Sequence, residues 1–254
     1  MYTIAATDLD DTLIRSEDWK VSTRALTALH KWADTRGPVI IATGRPPRWT
    51  RKIHESLHDF PWICYNGAVA YENGEQIYEN LISVRVMREV VKLFAANAPD
   101  ARVGLEIDDI LYINQPIDRP HSYYIPDLLT VADRPAAKIL LSTPDYHALS
   151  DQLLQFSEEA KSLVSDRVSL VQMMATSTSK GHALTMLMKK WGRSMDEIVS
   201  FGDDVNDIEM LQESGLGIAV ENAVPEVLAV ADRVTASNND DGVALILEEL
   251  LTEG

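Results

Sequence analysis

The sequence predicts an α/β protein, a Rossmann-like parallel sheet flanked by helices and interrupted by an inserted α+β domain. Three observations predict it. Over the first eighty or so residues short apolar runs alternate with amphipathic segments, as in a parallel sheet with helical crossovers. From about residue 83 the pattern turns into a mixture of helices and paired strand-like runs. After it the first pattern resumes and runs to the end. The economical reading is a discontinuous core over 1–82 and 176–254 with a second unit inserted over 83–175.

Each element has a local reason. TIAAT (3–7) reads as a buried strand that runs out at Asp8. Ser22 can cap a helix carrying Leu26, Leu29 and Trp32 on one face, with Gly37 just past its end. VIIAT (39–43) is a second buried strand, followed by Gly44, Arg45 and two prolines that suit a helix start. WICY (62–65) is a third strand, and Asn73-Gly74 between two β-like runs signals a tight hairpin. In the insertion, Val86, Val90, Leu93 and Phe94 mark a helix, and RVGLEI and ILYI meet at Asp108-Asp109. AKILLS, a helical stretch over 144–156 and VSLVQM (168–173) follow. The returning core reads helix 180–191, strand IVSF, helix 205–213, strand GIAV, helix 225–231, strand RVT and helix 241–251.

Composition excludes several classes of function. The 254 residues are 46% hydrophobic and 24% charged, ordinary usage for a folded globular chain rather than a disordered or collagen-like one. Thirty-nine acidic against 23 basic side chains give a net charge of −16, which repels a phosphate backbone or an anionic lipid surface. Neither nucleic acid nor membrane is therefore expected as a partner, and no apolar stretch approaches the eighteen or so residues of a transmembrane helix. The opening MYTIAATDLDD lacks a basic start and meets a carboxylate at position 8, unlike a signal or transit peptide. The single cysteine, Cys64, lies in the apolar run WICY and reads as a buried thiol in a reducing compartment. The expectation is a soluble, cytoplasmic monomer or weak homodimer.

Candidate chemistry gathers at strand ends. Asp8 and Asp10 stand where the first strand runs out, and residues i and i+2 of an extended segment point the same way, so both carboxylates are expected to face one spot. The alternative is that Asp10 and Asp11 are turn residues and Asp8 a helix cap. A second acidic run, GDDVND (202–207), follows IVSF, and Asp203 and Asp207 lie one helical turn apart. Capping explains part of that run, but not its coincidence with the first at one sheet edge, where open parallel sheets bind ligands. Carboxylates brought together repel unless a cation joins them, and hard oxygen donors in small number select Mg²⁺. Lys180 opens a helix, where a cation opposes the macrodipole, and such a broken rule suggests function. Thr43 and Gly44 can offer a hydroxyl and backbone N–H groups to a phosphate oxygen.

A competing motif is His54-Glu55-Ser56-Leu57-His58, a literal H-E-x-x-H that on a helix would hold zinc. Arg51, Lys52 and Asp59 around it and Pro47 and Pro61 on either side argue instead for two surface histidines on a short connecting helix.

Together DLDDTL, TGR, SKGHAL and GDDVND resemble, in order and spacing, the nucleophile, Thr, Lys and acidic metal motifs of the haloacid dehalogenase superfamily, and their arrangement is similar to that of its Cof-type members. The one departure is Asp11, where the family most often has Gly; Asp tolerates unusual backbone angles. The resemblance implies a core of that family with a cap of the C2 type over 83–175. It implies a Mg²⁺-dependent phosphatase acting on small-molecule phosphate monoesters, such as sugar phosphates, through an aspartyl-phosphate. In it Asp8 is the nucleophile and Asp10 the general acid and base. Asp8, Asp10 through its backbone oxygen, and Asp203 hold Mg²⁺ with Asp207 nearby. Thr43, Gly44, Lys180 and Asn206 serve the phosphate, with Asn206 and Asp207 also orienting Lys180 and the metal's waters. The cap closes as a lid and contacts the leaving group. A sugar phosphomutase of the same fold and a non-catalytic phospho-ligand module are the alternatives, the latter disfavoured because Asp8 and Asp10 are both present.

Overall fold

The computed structural model describes residues 1–165 and 169–253. Its chain divides into two compact units, Met1–Glu79 with Ser179–Gly254, and Asn80–Thr178.

The first unit contains β1 (Ile4–Asp8), β2 (Val39–Ala42), β3 (Trp62–Cys64), β4 (Val69–Glu72) and β5 (Glu75–Glu79). The second supplies β6 (Val103–Ile107), β7 (Ile110–Ile113), β8 (Ser122–Tyr124), β9 (Lys138–Ser142), β10 (Ala160–Ser165) and β11 (Leu170–Ala175). The first resumes with β12 (Ile198–Gly202), β13 (Leu216–Val220) and β14 (Arg233–Thr235).

The sheet of the first unit runs β14-β13-β12-β1-β2-β3-β4-β5, parallel from β14 to β3 and antiparallel through β4 and β5. Beside β1 lie β2 and β12, so the strand order reverses at β1, and the crevice beyond the carboxyl ends of these strands is where such sheets bind ligands. β1 to β3 read as near-continuous apolar runs because both sheet faces are covered. One face, with Ile4, Ala6, Ile40, Ala42 and Ile63, packs on Ala183, Leu184, Leu187 and Met188 of the helix Lys180–Trp191. Ser22 caps the helix Thr23–Thr35, which buries Ala25, Ala28, Leu29 and Trp32, while Leu26, expected on that face, is only half-buried. Asn73 (φ 52°) and Gly74 (φ 80°) make the β4–β5 turn.

In the second unit the sheet order is β10-β11-β9-β6-β7-β8, antiparallel except for β7 with β8. The helix Val84–Asn97 buries Val86, Met87, Val90, Val91 and Phe94 in a core shared with Val103, Leu105, Ile139, Leu141, Val171 and Met173. Alternate residues of the same strands include the buried Glu106 and Lys138, opposite one another on β6 and β9.

The differences from the sequence reading are local. The helical stretch expected over 144–156 breaks at Leu149 into Thr143–Ala148, Ser150–Leu153 and a short 3₁₀ turn. Leu149, Leu153 and Phe156 still enter one core, as their i, i+4, i+7 spacing gives, and the break falls where Leu149 leaves helical geometry (φ −126°, ψ 18°). The strand expected over 168–173 is found over Leu170–Ala175, and Val168 lies outside the described residues. The helix expected over 205–213 begins with a 3₁₀ turn, Val205–Asp207, before Ile208–Glu213, and that expected over 225–231 ends at Leu228. β8 and β10, at the two edges of the second unit's sheet, have no counterpart in the sequence reading.

Among the described residues no helix is long and apolar enough to cross a membrane. The H-E-x-x-H segment forms a 3₁₀ turn, Glu55–Leu57, with His54 extended at its start. His54 Nδ1 accepts from Ser56 N at 3.2 Å and His58 Nε2 meets Arg51 O at 3.1 Å. Two ring nitrogens engaged locally, and a segment too short to align the rings on a helix face, leave no zinc geometry.

Candidate active site

β1 delivers Asp8 as its last residue, β2 delivers Thr43 just beyond its end, and β12 delivers Asp203 just beyond Gly202. Asp207 follows one turn later, and its position is set by the loop it stabilises. Its Oδ2 accepts the backbone N–H of Asp203 at 3.1 Å and of Asp204 at 3.2 Å. This draws the first turn after β12 tight, which is why it is 3₁₀ rather than α-helical. Gly202 is required beneath it, because a Cβ at that position would collide with the Asp207 side chain.

Lys180 is the first residue of its helix, capped by Ser179. The Lys180 side chain is wholly buried, and its ammonium donates to Asp8 Oδ1 at 2.6 Å and to Asp207 Oδ1 at 2.7 Å. The macrodipole penalty anticipated from its position is offset by these two carboxylates. Asp203 completes the group: one carboxylate oxygen from each of Asp8, Asp203 and Asp207 lies within 4.8 Å of the others. Thr12 Oγ1 donates to Asp203 Oδ1 at 2.6 Å and fixes that carboxylate.

Burial pushes the Asp8 carboxyl well above the usual carboxylate range; Lys180 opposes this, while Asp207 and Asp203 add to it. Asp203 is pushed up to about 7 by burial and then by Asp207, with Thr12 and Lys180 opposing. For Lys180, burial alone would pull the ammonium down, but Asp207 and Asp8 outweigh it and hold it above its ordinary value. Three carboxylates thus face a single lysine charge. Such a group of hard oxygen donors suits a divalent cation, which would offset the burial and the mutual repulsion that raise Asp8 and Asp203.

Asp10 is placed differently from the sequence expectation. β1 ends at Asp8 and Asp10 lies in the following turn, so the strand alternation that would aim both carboxylates at one spot has already lapsed. Its carboxylate is instead forked onto Arg45, with Nε at 2.9 Å from Oδ2 and the second guanidinium nitrogen on Oδ1. Asp11 takes the left-handed conformation (φ 55°) that its position in the motif demands. Thr43 is fully buried, and its hydroxyl oxygen accepts from Arg45 N at 3.1 Å. Asn206 Nδ2 donates to Asn66 Oδ1 at 3.1 Å, and Gly44 lies so close that a Cβ there would be 2.7 Å from the same oxygen.

Asp8, Lys180, Asp203 and Asp207 are therefore brought into one cluster, while Thr43, Gly44 and Asn206 are joined by their contacts with Asn66. Three residues escaped the sequence reading: Thr12, Arg45 and Asn66. Thr12 and Arg45 lie inside the quoted motifs but have no partner legible from spacing. Asn66 announces itself only as Asn-Gly after a strand, a turn signal rather than a chemical one.

A family model described as haloacid dehalogenase-like hydrolase matches residues 5–247. The chain belongs to this family. Two relatives from Bacillus subtilis (strain 168), the 5-amino-6-(5-phospho-D-ribitylamino)uracil phosphatases YitU and YwtE, are 24% and 28% identical to it. Each matches 97% of this chain, over 96% and 97% of their own lengths. The crystal structure of TM0651 from Thermotoga maritima superposes with a TM-score of 0.87 at 27% identity, over 98% of this chain and 97% of that one. The motif order is that of the Cof-type members, and the full-length relatives group this hydrolase with phosphatases.

Proposed function

We propose that the chain hydrolyses small-molecule phosphate monoesters with Mg²⁺, through an aspartyl-phosphate on Asp8. The observation that carries the reading is the buried Lys180 ammonium shared between Asp8 and Asp207 beside Asp203, a nucleophile, cation and metal-ligand set at one sheet edge. The family and the two relatives named for a phosphorylated ribityl compound support it.

A carboxylate oxygen of Asp8 attacks phosphorus, the bond to the ester oxygen breaks, and Asp10 gives its proton to the leaving alkoxide. A water then attacks the phosphorus of the aspartyl-phosphate, Asp10 takes the proton, and the bond to Asp8 breaks to release phosphate. Arg45, forked onto Asp10, orients its carboxyl group. Lys180, the Thr43 hydroxyl, the Gly44 backbone N–H and Asn206 hold the transferring oxygens, and Lys180 also fixes which way Asp8 faces. Asp8, Asp203, Asp207 and the backbone oxygen of Asp10 would hold Mg²⁺, which when bound offsets the repulsion between an anionic nucleophile and a dianionic ester. The inserted unit acts as the cap and sets the choice of leaving group, since every motif residue lies outside it.

Release of inorganic phosphate from p-nitrophenyl phosphate and from a panel of sugar and polyol phosphates tests this. Mg²⁺-dependent release is expected. Isomerised sugar phosphate without free phosphate, or no turnover at all, refutes it.

A further inference from the structure

Between β3 and β4 the chain takes three left-handed residues in succession, Tyr65 (φ 55°), Asn66 (φ 59°) and Gly67 (φ 100°). Two adjacent non-glycine residues in that region are strained, and both are buried. A segment that keeps such a backbone must be held by its surroundings, and here the surroundings are the phosphate-side groups. Asn66 N donates to Thr43 O at 3.0 Å, Tyr65 N donates to Arg45 O at 3.0 Å, and the Tyr65 hydroxyl accepts from Arg48 at 2.7 Å. Gly67 abuts the backbone of Ser179, immediately before Lys180, so closely that no Cβ fits.

We infer that Asn66 is a positioning residue for phosphate binding: it sets the orientation of Asn206, and its turn holds the Thr43–Gly44 and Ser179–Lys180 segments in register. The inference rests on the reading that this site takes phosphate esters. Because Asn66 presents Oδ1 to Asn206, the Asn206 amide must turn its nitrogen toward Asn66. One Asn206 N–H is used there, and the other remains for a phosphate oxygen. The Asn206 Oδ1 is buried with no hydrogen-bond partner among the described residues, an acceptor that a water ordered with the ligand would satisfy. Without Asn66 the Asn206 amide is free to rotate, and its orientation must be fixed again each time phosphate binds.

The test separates the amide from the backbone. Asn66→Gly removes the side chain but keeps a residue at ease with positive φ, whereas Asn66→Ala removes the same amide and adds backbone strain. These variants, Asn206→Ala and the double variant Asn66→Gly/Asn206→Ala are compared for Tm, for affinity toward inorganic phosphate with Mg²⁺, and for kcat and KM with p-nitrophenyl phosphate. Asn66→Gly should bind phosphate and turn over ester (kcat/KM) about 10-fold less well, a loss typical of misoriented contacts, at a Tm close to wild type. Asn66→Ala should show the same phosphate loss at a lower Tm. In the Asn206→Ala background, Asn66→Gly should change phosphate affinity by less than about 2-fold. An equal loss in both backgrounds, or a phosphate affinity that follows Tm instead of the amide, overturns the inference. Phosphate affinity requires no turnover, so a wild type that binds phosphate without hydrolysing any ester would sink the hydrolytic reading alone.

Discussion

Replacing Lys180 by Met keeps the length and volume of a wholly buried side chain while deleting the one charge that balances three carboxylates. At an effective dielectric of about 20, each ammonium–carboxylate attraction at 2.6 and 2.7 Å is worth about 6 kcal/mol, and each repulsion between carboxylate oxygens up to 4.8 Å apart about 3 kcal/mol or more. The attractions and repulsions nearly cancel, so removing Lys180 leaves the repulsions alone, and breaking a buried pair in this way costs about 3 to 5 kcal/mol. For a unit of this size that lowers Tm by about 10 °C. The sign of the pH dependence follows from Asp203, held at about 7 against an ordinary 3.8. A carboxyl raised on folding binds its proton more tightly in the native state, so its contribution to stability declines as pH rises from about 4 to about 7 and is flat above. In Lys180→Met the carboxylates lose their counter-charge and rely further on protonation. The deficit in Tm, measured by calorimetry in EDTA, should therefore be larger at pH 8 than at pH 5. A Lys180→Met protein whose Tm matches wild type at pH 8 would refute the claim that this lysine balances the acidic cluster.

Asp203→Ala should raise the Mg²⁺ concentration for half-maximal activity by about 10-fold or more, measured by metal titration; full activity in EDTA would dismiss the metal. Asp10→Asn should lower kcat with little change in KM, because proton transfer is needed in the transition state and not in the ground state. A raised KM at unchanged kcat would make Asp10 a binding residue. Exchanging residues 83–175 for the corresponding segment of a relative with other substrates should carry over the rank order of sugar and polyol phosphates. An unchanged rank order would place specificity in the core loops.

Much of this was legible because the relevant signals are local. The buried strands, the Ser22 cap and the Asn73-Gly74 hairpin each depend on a few neighbouring residues, and each stands where its residues put it. Asp8, Asp203, Asp207 and Lys180 could be named because strand ends and helix starts in a parallel sheet share one edge, so sequence position fixes spatial position. What failed depended on where a regular element stops. Strand alternation carried two residues past the end of β1 aims Asp10 at the cluster, whereas the turn after Asp8 hands it to Arg45. The break at Leu149 (φ −126°, ψ 18°) leaves Leu149, Leu153 and Phe156 at helical spacing on one core, so the apolar period of the sequence does not mark it. Thr12 and Asn66 make their contacts 191 and 140 residues away, distances over which spacing has no meaning.

The central claim, that Asp8 carries the phosphoryl group, is tested most directly by Asp8→Asn. The substitution preserves shape, removes the nucleophilic charge, and leaves Lys180 facing one carboxylate fewer, so Tm should not fall. Turnover of p-nitrophenyl phosphate should drop below about 1% of wild type, and acid-quenched wild type, but not the variant, should yield a phosphoryl group on the peptide containing residue 8. Turnover above that level in a folded Asp8→Asn protein would place the nucleophile elsewhere.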